Sequence, residues 1–101
     1  MTLHLVIHRP DDPAGSPEDA AVRAALREAV WEVADSHWTA GEEVLLVSTD
    51  LSPDYLLSHF RRGLARRGHP SPGLLMVVPM GSNATWSGLP EDTAAWMESV
   101  L

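Results

Sequence analysis

Apolar and polar positions alternate at the start of the chain. Leu3, Leu5 and Ile7 interleave with His4, Val6 and His8, the period of two that marks a strand whose faces meet different surroundings. Pro10 ends that strand, and the Asp, Pro, Ala and Gly of residues 11–16 form a loop. Ser16-Pro17-Glu18-Asp19 then opens a helix: the serine accepts a bond from a free backbone N–H, proline fits the first helical position, and two acids meet the positive helix end. Val22, Leu26, Ala29, Val30 and Val33 recur at helical spacing behind it.

The periodicity fades over residues 34–39, and Ala40-Gly41-Glu42 makes a turn into the β-branched and apolar run 44–49, a second clear strand. Residues 36–39 form either a short partner strand, which makes the sheet antiparallel, or a loop, which makes it parallel. Ser52-Pro53-Asp54 repeats the helix start, Leu56, Phe60 and Leu64 follow at i, i+4 and i+8, and Gly68 is placed to end the helix. Gly63 inside it costs about 1 kcal/mol relative to alanine, a cost that a close helix contact would explain. After a Pro-rich loop, residues 74–78 read Leu-Leu-Met-Val-Val, an apolar strand expected to be covered on both faces. Residues 80–88 are irregular or hold one short strand around Trp86. Pro90-Glu91-Asp92 opens a last helix carrying Trp96, Met97, Val100 and Leu101.

No linker or repeat divides the 101 residues, so a single domain over 1–101 with one core is expected. The N-terminus lacks the pattern of a signal peptide and no apolar run spans a bilayer, which points to a cytoplasmic protein. With no cysteine there is no disulfide framework, thiolate zinc site or cysteine nucleophile. Seven arginines, no lysine and fourteen carboxylates give a net charge of −7, which repels a polyanion at long range and disfavours broad nucleic-acid binding.

Leu46-Val47-Ser48-Thr49, Leu51-Ser52, residues 57–60, residues 75–78, Ala84-Thr85-Trp86-Ser87-Gly88-Leu89, Trp96 and Leu101 occur in an order that resembles the small proteins labelled SinR-like. The resemblance covers a little over half the chain. It implies a fold relation to the VapD toxins and to the small subunit of the CRISPR adaptation complex, which are ferredoxin-like domains that pair as dimers. It therefore favours the antiparallel alternative: a ferredoxin-like α+β sheet with the first and third strands central, helices on one face and a C-terminal helix. The runner-up is a parallel three-stranded βαβαβα sandwich. Some relatives cut RNA or DNA with a strand-end acid that holds a divalent metal. Here the first strand ends Ile7-His8-Arg9-Pro10 and the nearest acids are Asp11 and Asp12.

Two functions follow as expectations. The first is a small dimeric, non-catalytic interaction or regulatory module in a toxin–antitoxin or phage-defence setting, requiring no cofactor. The alternative is a metal-dependent endonuclease or endoribonuclease in which Asp11 and Asp12 hold magnesium or manganese and His8 joins them in acid–base work. An Asp-Asp-Pro loop is also an ordinary solvated turn, and His4 and His8 share one face of a strand without needing a ligand. Arg61, Arg62, Arg66 and Arg67 gather four of the seven arginines on one helix end, a surface for an acidic protein or a phosphate-bearing partner. Trp38 and Trp86 are expected to line the same kind of contact, and Trp96, Met97, Val100 and Leu101 to form a homodimer interface. No catalytic-serine, phosphate-loop or dinucleotide motif is present.

Overall fold

The computed structural model describes residues 2–81 and 84–100. The chain runs β1 (Thr2–Arg9), α1 (Pro17–Trp31), β2 (Ser36–Thr39), β3 (Val44–Thr49), α2 (Pro53–Arg66), β4 (Leu74–Met80) and α3 (Glu91–Val100). All pairings are antiparallel and the sheet order is β2-β3-β1-β4. This is the ferredoxin-like α+β arrangement with β1 and β3 central. Residues 36–39 are a strand, and Leu5 opposite Leu46 in antiparallel register removes the parallel alternative. Among the described residues no helix is long and apolar enough to cross a membrane.

Both long helices begin where local chemistry places them. Ser16 accepts from the Asp19 amide at 3.1 Å and Ser52 from the Tyr55 amide at 3.2 Å, each satisfying one otherwise free N–H, with Pro17 and Pro53 at the first helical positions. α1 stops at Trp31, earlier than the apolar spacing through Val33 implies, because the Val33 and Ala34 amides both turn back to the Val30 carbonyl.

The alternation of each strand divides the apolar residues between two clusters. Val6, Leu45, Val47, Leu75 and Val77 meet α1 and α2 through Val22, Leu26, Ala29, Val30, Leu56, Phe60 and Leu64. Phe60 is fully buried there, and truncating such a residue to alanine costs about 3–5 kcal/mol. On the opposite face Leu3 and Leu46 meet Met97 of α3, with Trp38, Trp86, Leu89 and Trp96 around them.

The second cluster is lopsided. Leu74, Met76 and Val78 of β4 are 45%, 45% and 37% exposed, so the expectation of a strand covered on both faces is corrected. Leu75 and Val77 face α1 and α2, and Met80 at the strand end packs with the cluster around Met97. The segment after β4 has no regular element over residues 84–90, and Ser82 and Asn83 lie outside the described residues.

Candidate functional site

A cavity of about 670 Å³ opens beside the N-terminal half of α1. Its walls come from α1, from the β2–β3 turn and from the start of α3, and His8 at the end of β1 also lines it. The cap that starts α1 also sets the site's electrostatics. Held in the first turn, Asp19 folds back so that its Oδ2 accepts from the Gly15 amide at 3.1 Å, while Arg23, one turn later, donates through Nε to Oδ1 at 3.0 Å and to Oδ2 at 3.1 Å. Arg23 also donates through Nη1 to the Glu42 carbonyl, tying α1 to the β2–β3 turn. The Gly15 amide first, and Arg23 after it, hold the Asp19 carboxyl below the usual range.

His8 is 2% exposed, and its Nε2 lies 3.0 Å from the Pro72 carbonyl oxygen. A carbonyl only accepts, so Nε2 carries the proton and Nδ1 is the acceptor of the neutral ring. Burial lowers the His8 pKa from the ordinary 6.5; the Pro72 bond opposes that, Arg23 adds to it, and Asp19 opposes it. At the rim Arg9 donates to Glu43 at 3.1 Å, and this bond lowers the Glu43 pKa. The arrangement is a fixed set of hydrogen-bonding groups around an apolar floor of Leu26 and Leu45, suited to holding a small molecule.

The residues picked out from sequence fall elsewhere, with one exception. Asp11 and Asp12 are exposed in the loop after β1, whereas His8 is buried and engaged with Pro72. Among the described residues no group of three or more His, Asp or Glu side chains is placed to hold a metal ion. His4 is buried, and its Nδ1 has no hydrogen-bond partner among the described residues. Of the arginines gathered at the end of α2, Arg67, which caps the helix, reaches Glu28 at 3.0 Å, Glu32 at 3.3 Å and the Gly63 carbonyl at 2.9 Å, and so joins α2 to α1. Arg62 donates to Ser58 at 2.9 Å. Arg61, Arg62 and Arg66 are exposed, and Arg61 and Arg62 line a shallow groove with Asp54, Ser58 and Pro70.

Trp38 and Trp86 are directed inward. Trp38 stacks on Trp96 with ring centroids 5.9 Å apart and donates to the Thr93 hydroxyl at 2.9 Å, while Trp86 packs in the same cluster. Trp96 donates to Ser36 at 2.9 Å, Met97 is 3% exposed, and Val100 packs beside them. The terminal helix thus covers its own sheet, which uses the apolar surface that had suggested an interface. Leu101 lies outside the described residues.

The sequence presents Asp19 only as a helix-start acid and gives Arg23 and Arg27 no role, although their i, i+4, i+8 spacing puts all three along one strip of a helix. Trp31, for which the sequence carries no expectation here, is 72% exposed beside His37. It falls one turn after Arg27, on the polar side of α1, which is the signal that separates it from the core. No family model matches this chain, and neither a curated protein nor a solved structure does.

Proposed function

We propose that this chain is a self-associating interaction module in which two copies pair through the open edge of β4 and the arginines of α2 receive an acidic or phosphate-bearing partner. The observation that carries it is the character of β4. It is an outer strand of seven residues with no charged side chain, and it shows Leu74, Met76 and Val78 to solvent. Edge strands left unpaired are normally short, charged or covered, because their free N–H and C=O groups recruit other strands. β4 has none of these protections, and only Pro79, which lacks an N–H, limits pairing toward its end.

A twofold pairing of β4 with itself satisfies that edge and sets the two apolar stripes side by side, so that each shields part of the other. It also sets the two α2 helices on the same face of a continuous sheet, since α2 packs over β4. Arg61, Arg62 and Arg66 then line that face from both copies, a local concentration of cations on a protein of net charge −7.

Sedimentation at micromolar concentration tests the pairing. The expected mass is twice the 11.0 kDa of the chain, and Met76→Glu should return it to one chain without loss of helix content. A wild-type protein that stays at one chain mass across the concentration range rejects the reading.

A further inference from the structure

We propose that the cavity beside α1 binds a small organic monoanion, a single carboxylate on a compact apolar body. The cavity volume of about 670 Å³ falls within the range of small-molecule sites, and its apolar floor of Leu26, Leu45 and Ala40 suits a ring or short chain. The polar groups supply the rest of the argument. The Asp19 and Arg23 side chains are only 8% and 14% exposed. An ion pair so withdrawn from water rarely stabilises a fold more than apolar residues of the same size. Placed on the wall of an open volume, the pair instead holds a guanidinium in a fixed position, with Nε on Asp19 and Nη1 on the Glu42 carbonyl.

Arg27 lies one turn further along the same wall. Unlike Arg23 it is exposed, and it has no ion-pair or hydrogen-bond partner among the described residues. It is therefore the cation with donors to give, and a carboxylate is the group its planar fork matches. One neutral group completes the recognition: the Thr93 oxygen already accepts from Trp38, leaving its own hydrogen to donate to a carboxylate.

Charge selects one negative unit. Glu42 and Glu43 stand on the rim, and among the described residues only Glu43 of the two is paired, with Arg9, so the second charge of a phosphate would meet repulsion. A cationic ligand finds the Asp19 carboxylate already taken by Gly15 and Arg23, which leaves it the solvent-exposed rim carboxylate of Glu42, where an ion pair is worth little.

The probe is benzoate added to the full-length ¹⁵N-labelled protein, with benzamide, benzylamine and inorganic phosphate as the neutral, cationic and multiply charged comparisons. Benzoate should give saturable shifts of the Thr39, Ala40 and Gly41 amides. Arg27→Gln should weaken its binding about tenfold, the effect of losing one charge-assisted bond, while Arg61→Gln leaves it unchanged. Benzamide, benzylamine or phosphate binding as well as benzoate, shifts confined to the α2 arginines, or no saturation would each overturn the proposal. Because Arg27→Gln leaves β4 untouched, its sedimentation mass separates failure of this site from failure of the pairing.

Discussion

Gly63 of α2 and Ala29 of α1 meet so closely that a Cβ built on the glycine would stand 3.1 Å from the alanine Cβ, with Arg67 Nη1 at the same distance. The missing side chain lets the two helices approach and leaves the Gly63 carbonyl open to Arg67. Gly63→Ala gains about 1 kcal/mol of helix propensity and loses a comparable amount to crowding, so a change within about 1 kcal/mol is expected. Gly63→Val, which cannot be accommodated by a few tenths of an ångström, should cost about 2–3 kcal/mol in denaturant unfolding. A neutral valine variant would show that the helix pair is not tightly packed here.

Gly73 is the more demanding glycine. Its φ of +84° is in the left-handed region, and an added Cβ would overlap the Arg9 carbonyl oxygen and stand 2.8 Å from the Asp11 amide nitrogen. Backbone cannot yield as a side-chain tip does. Gly73→Ala should lower stability by on the order of 3 kcal/mol, measured as a fall in the urea midpoint, and should disturb the Pro72 carbonyl that His8 engages.

His8 links stability to pH. Its folded pKa lies below the 6.5 of a free histidine, so below 6.5 the unfolded chain takes up a proton that the folded chain refuses. Stability is then full above about pH 6.5 and falls as the pH drops toward the lowered folded pKa. Asp19 and Glu43, whose pKa values are also lowered, act only below the ordinary carboxylate values of 3.8 and 4.5. Between those windows His8→Gln, which retains a donor for the Pro72 carbonyl, should flatten part of the decline in melting temperature. An unchanged slope in the variant would exclude His8 as its source.

Two tryptophans should behave oppositely. Trp38→Phe removes the bond to Thr93 and part of the stack on Trp96, for an expected loss of about 1–2 kcal/mol. Trp31→Phe alters a residue that is 72% exposed and should stay within about 0.5 kcal/mol. In quenching experiments Trp31 should supply most of the fluorescence accessible to iodide, and its replacement should remove that component.

What was legible in the sequence was what short segments decide for themselves. Ser16-Pro17 and Ser52-Pro53 mark helix starts because capping involves only the next three residues, and the alternation of residues 3–8 places Val6 and Leu3 on opposite faces as observed. The antiparallel order was not legible in the periodicity, since a four-residue strand such as Ser36–Thr39 carries little of it. The bare face of β4 was not legible, because an unbroken apolar run reads the same whether or not a distant helix reaches it. Asp19 was recognised as a helix-start acid, but its turn inward depends on the loop glycine at position 15 and on Arg23 together.

The two outer strands differ in length, four residues in β2 against seven in β4, and this limits how copies add to one another. Pairing of the longer rims consumes both of them and leaves only the two short ones at the ends. α3 meanwhile stands on the far side of the sheet against Leu3 and Leu46, where it would obstruct a second layer from stacking flat. Under the proposed pairing, growth sideways and growth by layering would both meet an obstacle after the first step, giving a closed pair rather than a lengthening ribbon.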